Sequence, residues 1–479
     1  MRKKSKRSRK IQKEKEVRIK TQEERELKTK NEITEEWIKE VTDIKIRNLC
    51  MANIIMANPV VYDTEDTKKE YLERINKYLK IGGWRQRKYE ASEYESYQKN
   101  ILECKEIKYS KGIDYYMYYI VFDLIHILGY DTKEISQTKL ENVRRQYLLD
   151  FASANLYIFT KIIKSVQGEE IRLENLKKNS ELKREKHYIE LIRKNLLFRK
   201  KEPFNIIVTA TMSAGKSTFI NAIAGKYVCL SQNMACTSKI HSVINKAFED
   251  KSSFIYDHDL IMAAGKEDLL ENSDKNLSDK IYVATRYHGS LANERIIIND
   301  SPGVNFSGNQ EHKKVANQLI KRRNYNLLIY VMNATQLGTN DESEHLEFIK
   351  KTIGKTPIIF VMNKVDTFNP EEENIEDIII RQKNYLKGKG FQNPIICPVS
   401  ARAGYLVKKY EQGELLRNEK RELYNYVDKF EKMNLKKYYA ETFKQIQIKN
   451  SLKEEEQLLK TSGILFVEKL IKEYAQGGR

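Results

Sequence analysis

"FNIIVTATMSAGKSTFINAIAG", Phe204 to Gly225, decides the fold. An apolar run of strand length, Phe204 to Ala210, leads into a short loop containing Gly215. From Lys216 the pattern becomes helical. Strand, loop and helix in that order are what an α/β nucleotide-binding domain requires. The general phosphate-loop pattern is G-x-x-x-x-G-K-[ST]; here it reads Ala210, four residues, Gly215, Lys216, Ser217. The chemistry needs backbone N–H groups turned inward, together with the positive end of a helix. Gly215 lets the backbone approach closely, Lys216 is placed to reach β- and γ-phosphates, and the Ser217 hydroxyl is placed to ligate Mg²⁺. Ser213, Ala214 and Thr218 complete the expected phosphate cradle. Ala210 replaces the usual first glycine, which is tolerable where φ stays negative.

Working outward, four more apolar runs read as buried strands: "ERIIIND", "YNLLIYVMN", "TPIIFVMN" and "NPIICPVS". Helical stretches such as "QEHKKVANQLIKRR" and "DESEHLEFIKKTIG" lie between them. Continuous apolar strands alternating with helices predict a mostly parallel sheet covered on both faces. "MNKVD" ends one of these strands and supplies N-K-x-D at Asn363, Lys364 and Asp366. The Asp366 carboxylate can accept two hydrogen bonds from the N1–H and N2 amine of guanine. Adenine leaves that carboxylate unpaired, a difference of about 10⁴-fold by analogy with other polar specificity sites. Asn363 is expected to steady the loop, and the Lys364 stem to lie over the base. "PVSAR" ends the next strand and offers the Ser400 and Ala401 amides to the guanine O6. "NDSPG" provides D-x-x-G: Asp300 to hold Mg²⁺ through water, and the Gly303 amide to sense the γ-phosphate. "NMACTSKI" offers Thr237 as a second hydroxyl ligand for Mg²⁺, with a plain surface-loop threonine as the alternative. The long gap between Thr237 and Asp300 leaves room for extra strands.

The 479-residue chain has length for two or three domains. Five scattered cysteines, Cys50, Cys104, Cys229, Cys236 and Cys397, show neither pairing nor metal-ligand spacing and point to a reducing, cytoplasmic setting. Residues 1–30 hold fourteen Lys/Arg against five Asp/Glu and so carry nine of the formal +19 charges. This start reads either as a solvated tail or as an arm that touches acidic lipid or nucleic acid. From about Asn31 to Lys201 the spacing is helical, with Leu140, Val143, Tyr147 and Phe151 on one face. The longest apolar stretch, Tyr115 to Tyr130, contains Asp123 and His126, falls short of a bilayer span, and reads as a core helix with membrane insertion as the alternative.

Together these motifs resemble those of the dynamin-like GTPases, the bacterial members especially. "ATMSAGKSTFINAIAG" looks like their phosphate loop, "ACTSKI" their first switch, "NDSPG" their second and "MNKVD" their guanine motif. "QLGTNDESEHLEFIK" and "TSGILFVEKLIKEYA" resemble later segments of the same domain, so the likeness spans Phe204 to Tyr474, 271 residues, far more than a Ras-type domain. The resemblance implies that Ser213 helps bind a monovalent cation, K⁺ or Na⁺, which acts like an arginine finger when two GTPase domains pair. It makes Ser213, Lys216 and Thr237 the catalytic set. Val304 stands where Ras-type enzymes place a water-orienting glutamine. Met212 stands where many dynamins place a glutamine that contacts the attacking water. It also implies a helical stalk, whose returning half would lie beyond Arg479 or on a second dynamin-like chain.

The expected organisation is therefore a basic tail over residues 1–30, a helical domain over 31–201, and an enlarged P-loop GTPase domain over 202–479. The expected function is GTP binding and hydrolysis with Mg²⁺, coupled to self-association through GTPase domains and to peripheral contact with the anionic inner face of a membrane. The alternatives are a slow or non-hydrolysing GTP switch and a ribosome-associated GTPase; domain size and Ser213 weigh against the latter, and nucleic acid is not an expected partner. The guanine reading makes a direct prediction. Replacing Asp366→Asn exchanges an acceptor for a donor and should turn nucleotide preference from guanine toward xanthine, measured by competition of GDP and XDP for the purified chain.

Overall fold

The computed structural model describes residues 49, 52–83, 97–99, 101–104, 106–127, 137–166, 170–230, 239–257, 260–261, 265, 267–269, 280–303, 310–369, 374–433, 435, 438–439 and 461–477. The basic start over residues 1–30 lies outside them. The chain divides into two compact units, residues 1–49 and 50–479.

The second unit begins with a helical part: α1 (Glu65–Ile81), α2 (Met117–Ile127), α3 (Gln137–Asp150), α4 (Leu156–Val166), α5 (Glu170–Lys177) and α6 (Lys186–Lys200). Thr64 caps α1, its hydroxyl accepting from the Thr67 amide, and Glu65 and Asp66 complement the helix dipole. Within the apolar stretch read as a core helix, whose residues 128–130 lie outside the described residues, α2 covers Met117–Ile127, and Tyr118 to Ile125 are all buried. At its centre the Asp123 carboxylate is completely enclosed. It accepts hydrogen bonds from the hydroxyls of Tyr71 (2.8 Å), Tyr97 (2.9 Å) and Tyr188 (2.6 Å) and from Asn58 Nδ2 (2.8 Å). Four donors on one carboxylate offset the desolvation cost that makes buried charges rare. Burial nonetheless pushes its pKa up, against the pull of those hydrogen bonds.

The chain then enters a sheet of nine strands among the described residues. They are β1 (Phe204–Ala210), β2 (Ile240–Asn245), β3 (Phe254–Tyr256), β4 (Leu260–Ile261), β5 (Lys280–Thr285), β6 (Ile296–Asp300), β7 (Leu327–Asn333), β8 (Ile358–Asn363) and β9 (Ile395–Val399). Their order is β4-β3-β5-β2-β6-β1-β7-β8-β9. The run β6-β1-β7-β8-β9 is parallel throughout. β2 runs antiparallel to β6, so the β2–β5 extension forms a second block attached by reversal. The four strands β2–β5 all fall in the long gap between Thr237 and Asp300.

Helices α7 (Lys216–Ala224), α8 (Gln310–Lys321), α9 (Asn340–Thr352), α10 (Ile375–Gly388), α11 (Ala401–Glu411), α12 (Arg417–Met433) and α13 (Ile464–Ala475) complete the unit. The chain leaves β1 through α7 toward the β6 side, but passes through α8 and α9 toward β8. Right-handed crossovers in opposite directions place these helices on opposite faces. On one face Tyr330 and Met332 of β7 meet His345 of α9 and Gln382 of α10.

The helical part and the sheet are joined by polar locks. Arg295 donates to the carbonyls of Arg199 (2.9 Å) and Lys201 (2.8 Å), satisfying the C-terminal end of α6. Behind α7 lies a fully buried ion pair, Lys408 of α11 with Glu468 of α13. Lys408 also donates to the Ile223 carbonyl at 2.8 Å, and Glu468 accepts from Ser290 N at 3.0 Å and Ser290 Oγ at 3.1 Å. Glu468→Ala should leave the ammonium buried and unpaired and cost about 3–5 kcal/mol of stability. The joint replacement Lys408→Met with Glu468→Leu should recover most of that loss, measured by denaturant unfolding.

Candidate nucleotide-binding site

In parallel register the carboxyl ends of the strands fall level. Val208 lies beside Asp300, Ala210 beside Val331, and Asn363 beside both Asn333 and Val399. The loops that follow these ends therefore meet in one crevice, where α/β sheets bind ligands. The order change at β1, between β6 and β7, puts the phosphate loop at its centre.

Ala210 ends β1 within regular strand backbone, so the missing glycine carries no conformational cost. Two later loop positions are left-handed: Ser213 at φ 61° and Gly215 at φ 81°. Ser213 is exposed, and a non-glycine residue there stores strain of about 1–3 kcal/mol, as functional loops often do. Gly215 sits at the N-cap of α7, and a Cβ there would collide with Asn363 Nδ2. Glycine is required on both counts, backbone angle and space.

Asn363 is the hub. Its Nδ2 donates to the carbonyls of Ala214 (3.0 Å) and Gly215 (3.4 Å), and its Oδ1 accepts from the Ala401 amide (3.0 Å). It thus ties the end of β8 to the phosphate loop and to the start of α11. Lys364, at φ 67°, turns the chain into the short 3₁₀ turn Val365–Thr367, which places Asp366 half-buried beside α12. Tyr426 of α12 lies within the field of Asp366: burial first, and then that carboxylate, raise the phenol's pKa. Ser400 caps α11, accepting from the Ala403 amide at 3.3 Å. Its own N–H donates to the Ser462 carbonyl at 2.9 Å. Both amides expected to reach a base therefore brace the cleft itself, Ser400 through Ser462 and Ala401 through Asn363. A contact from either to guanine O6 would require one of these bonds to be given up.

At the phosphate end, Lys216 pairs with Asp300 Oδ1, and Ser217 Oγ donates to Asp300 Oδ2 at 3.3 Å. Sequence positions 84 residues apart are brought together because β6 lies beside β1. Hard oxygen donors gathered next to a phosphate loop fit Mg²⁺: Ser217 and Asp300 are the residues that would hold it. Thr218 is half-buried on the first turn of α7. Gly303 faces Met212, whose Cα a Cβ on Gly303 would meet at 3.7 Å, so space alone does not demand glycine there. Met212 is 41% exposed at the mouth of the loop. Thr237 and Val304 lie outside the described residues.

Three neighbours of the site carry no motif. Asn221, Cys229 and His241 are buried around Asp300 and α7. Only the position of Asn221, four residues after Ser217 and on the same helical face, could have flagged any of them. Burial lowers the His241 pKa to about 4, so the ring is neutral at physiological pH.

Gly215→Ala should weaken GDP binding at least tenfold, because the new methyl group displaces Asn363 from the loop. Far-UV circular dichroism should stay close to that of the parent, and fluorescent-GDP titration gives the affinity.

A Dynamin family profile matches residues 206–365, the stretch from β1 to the guanine motif. The chain is 25% identical over 207 residues to a probable transmembrane GTPase, FZO-like and chloroplastic, of Arabidopsis thaliana, covering 43% of this chain and 20% of that protein. It is 26% identical over 221 residues to a bacterial dynamin-like protein of Nostoc punctiforme, covering 43% of this chain and 31% of that one. The chain thus spans less than a third of the length of either relative. A solved oligomerised bacterial dynamin pair, described as a mechanism for long range sensing and tethering of membranes, shares 18% identity at a TM-score of 0.35, over 90% of this chain and 63% of that one. The phosphate loop, the D-x-x-G aspartate and the N-K-x-D turn thus assemble in one crevice of a region that is similar to the Dynamin family.

Proposed function

We propose that this chain binds GTP and GDP with Mg²⁺ and hydrolyses GTP, and that pairing of two GTPase domains accelerates the reaction. The observation that carries this reading is the Asn363 carboxamide, which fixes the guanine-reading turn and the phosphate loop relative to one another. Asp366 reads the base, Lys364 covers it, and the backbone of residues 213–218 with Gly303 surrounds the phosphates. Lys216 exchanges its carboxylate partner for the β- and γ-phosphates when nucleotide enters. Mg²⁺, when bound through Ser217, Thr237 and Asp300, neutralises charge on the phosphate oxygens. Ser213, Lys216 and Thr237 form the catalytic set, and Ser213, held in its strained conformation, is the residue to recruit K⁺ or Na⁺. The domain limits belonging to this reading are a tail over residues 1–30, a helical domain over 31–201 and the GTPase domain over 202–479.

The exposed Met212 favours a second reading, a slow GTP switch, since a thioether cannot orient water. The two readings separate in one assay. Turnover per chain should rise with protein concentration and with K⁺ over Li⁺, and Lys216→Ala should abolish it. A low rate indifferent to concentration and cation would leave only the switch.

The printed name of the Arabidopsis thaliana relative speaks of a membrane, and this chain is proposed to touch an anionic leaflet peripherally through its basic start. No helix among the described residues is long and apolar enough to cross a membrane. Arg2 to Lys10 hold seven Lys/Arg and no acids. Each contributes about 1 kcal/mol near an anionic surface, screened over a Debye length of about 8–10 Å. Sedimentation with anionic vesicles should therefore be lost at high salt and on deletion of residues 1–10. Binding that survives both would point to an apolar contact instead.

A further inference from the structure

Asn221 lies four residues after Ser217 on α7 and is 2% exposed. Its carboxamide is wholly engaged by the turn that follows the helix. Oδ1 accepts from the amides of Val228 (2.9 Å) and Cys229 (2.8 Å), while Nδ2 donates to the Cys229 carbonyl (2.9 Å). The turn is thereby pinned to the helix that carries Lys216 and Ser217. Cys229 is completely buried, and burial, then the nearby Asp300 carboxylate, push its thiol pKa up. His241, opposite Asp300 across the β2–β6 ladder, is buried as well. Asp300 thus has a polar front, formed by Lys216 and Ser217, and an enclosed back, where Cys229 and His241 are buried.

We infer that Asn221 is a positioning residue for Asp300: by clamping the 228–229 turn it holds the Cys229 side chain behind the carboxylate and keeps water from that side. The inference rests on the nucleotide reading above. A carboxylate walled from water on one side attracts a divalent cation more strongly than a hydrated one, because the local dielectric is lower. Groups that orient a metal ligand without touching the metal commonly change metal affinity 10–100-fold when removed. The hydrogen bonds of Asn221 run to the backbone of Val228 and Cys229, so the clamp reaches Asp300 through Cys229.

The experiment follows fluorescent GDP on the full chain through a Mg²⁺ titration, alongside peptide-resolved alkylation of Cys229. In Asn221→Ala the Mg²⁺ concentration for half-maximal nucleotide retention should rise about tenfold, nucleotide binding in EDTA should stay at the parental level, and Cys229 should alkylate faster. Cys229→Ala, which leaves the turn's backbone bonds in place, should shift the Mg²⁺ dependence in the same direction. Faster alkylation in Asn221→Ala with an unchanged Mg²⁺ midpoint overturns the inference and leaves the clamp purely structural. Should Asn221→Ala fail to fold, an unchanged midpoint in Cys229→Ala overturns it equally. A parent chain that retains no GDP at any Mg²⁺ concentration defeats the nucleotide reading itself, a result distinct from the other two.

Discussion

One carboxamide sets the geometry of the crevice. Asn363 ends β8 and reaches sideways to the two carbonyls before α7 and to the first amide of α11. Those groups belong to segments far apart in sequence. Backbone groups at helix ends lack partners within the helix, and leaving them unpaired in a buried place is costly. The same bonds that satisfy these groups also fix the distance between the N-K-x-D turn and the loop at Gly215. Gly215 is the counterpart of this arrangement, since no side chain fits between it and Asn363.

The phosphate end depends on charge in the same way that the base end depends on hydrogen bonds. Lys216 and Asp300 neutralise one another where both are nearly enclosed. An ammonium held beside a carboxylate keeps its orientation at the start of α7. The Lys408–Glu468 pair at the far end of α7 is more deeply buried and has a different role. It holds the last helix against the carbonyl of Ile223, so both ends of α7 are anchored by charge.

In the helical part a single buried carboxylate organises the packing. Three tyrosines and an asparagine, from positions as far apart as 58 and 188, converge on Asp123. Tyrosine suits such a core because its ring fills apolar volume while its hydroxyl supplies the donor. Rings around it meet edge-on or tilted, as between Tyr71 and Tyr116 and between Phe122 and Tyr188.

Sequence alone determined the elements whose signals are local. Buried parallel strands read as unbroken apolar runs, so β1, β6, β7, β8 and β9 are legible, as are the loop at Gly215 and the turn at Asn363 to Asp366. Their spacing names the crevice without placing its walls. Strands β2 to β5 are not legible individually, because short or mixed-polarity runs such as "IHSVIN" and "FIY" owe their strand state to neighbours across the sheet. The Ser400 and Ala401 amides read as base contacts, yet their partners depend on where β8 and residue 462 come to lie. Asp123 reads as an interruption in an apolar stretch. Only tertiary structure shows it as the common acceptor of residues scattered from position 58 to position 188. Local periodicity fixes which segments become strands and helices; the pairing of polar groups distant in sequence is decided when those segments pack, because a buried donor or acceptor must find its partner in whatever the fold brings near.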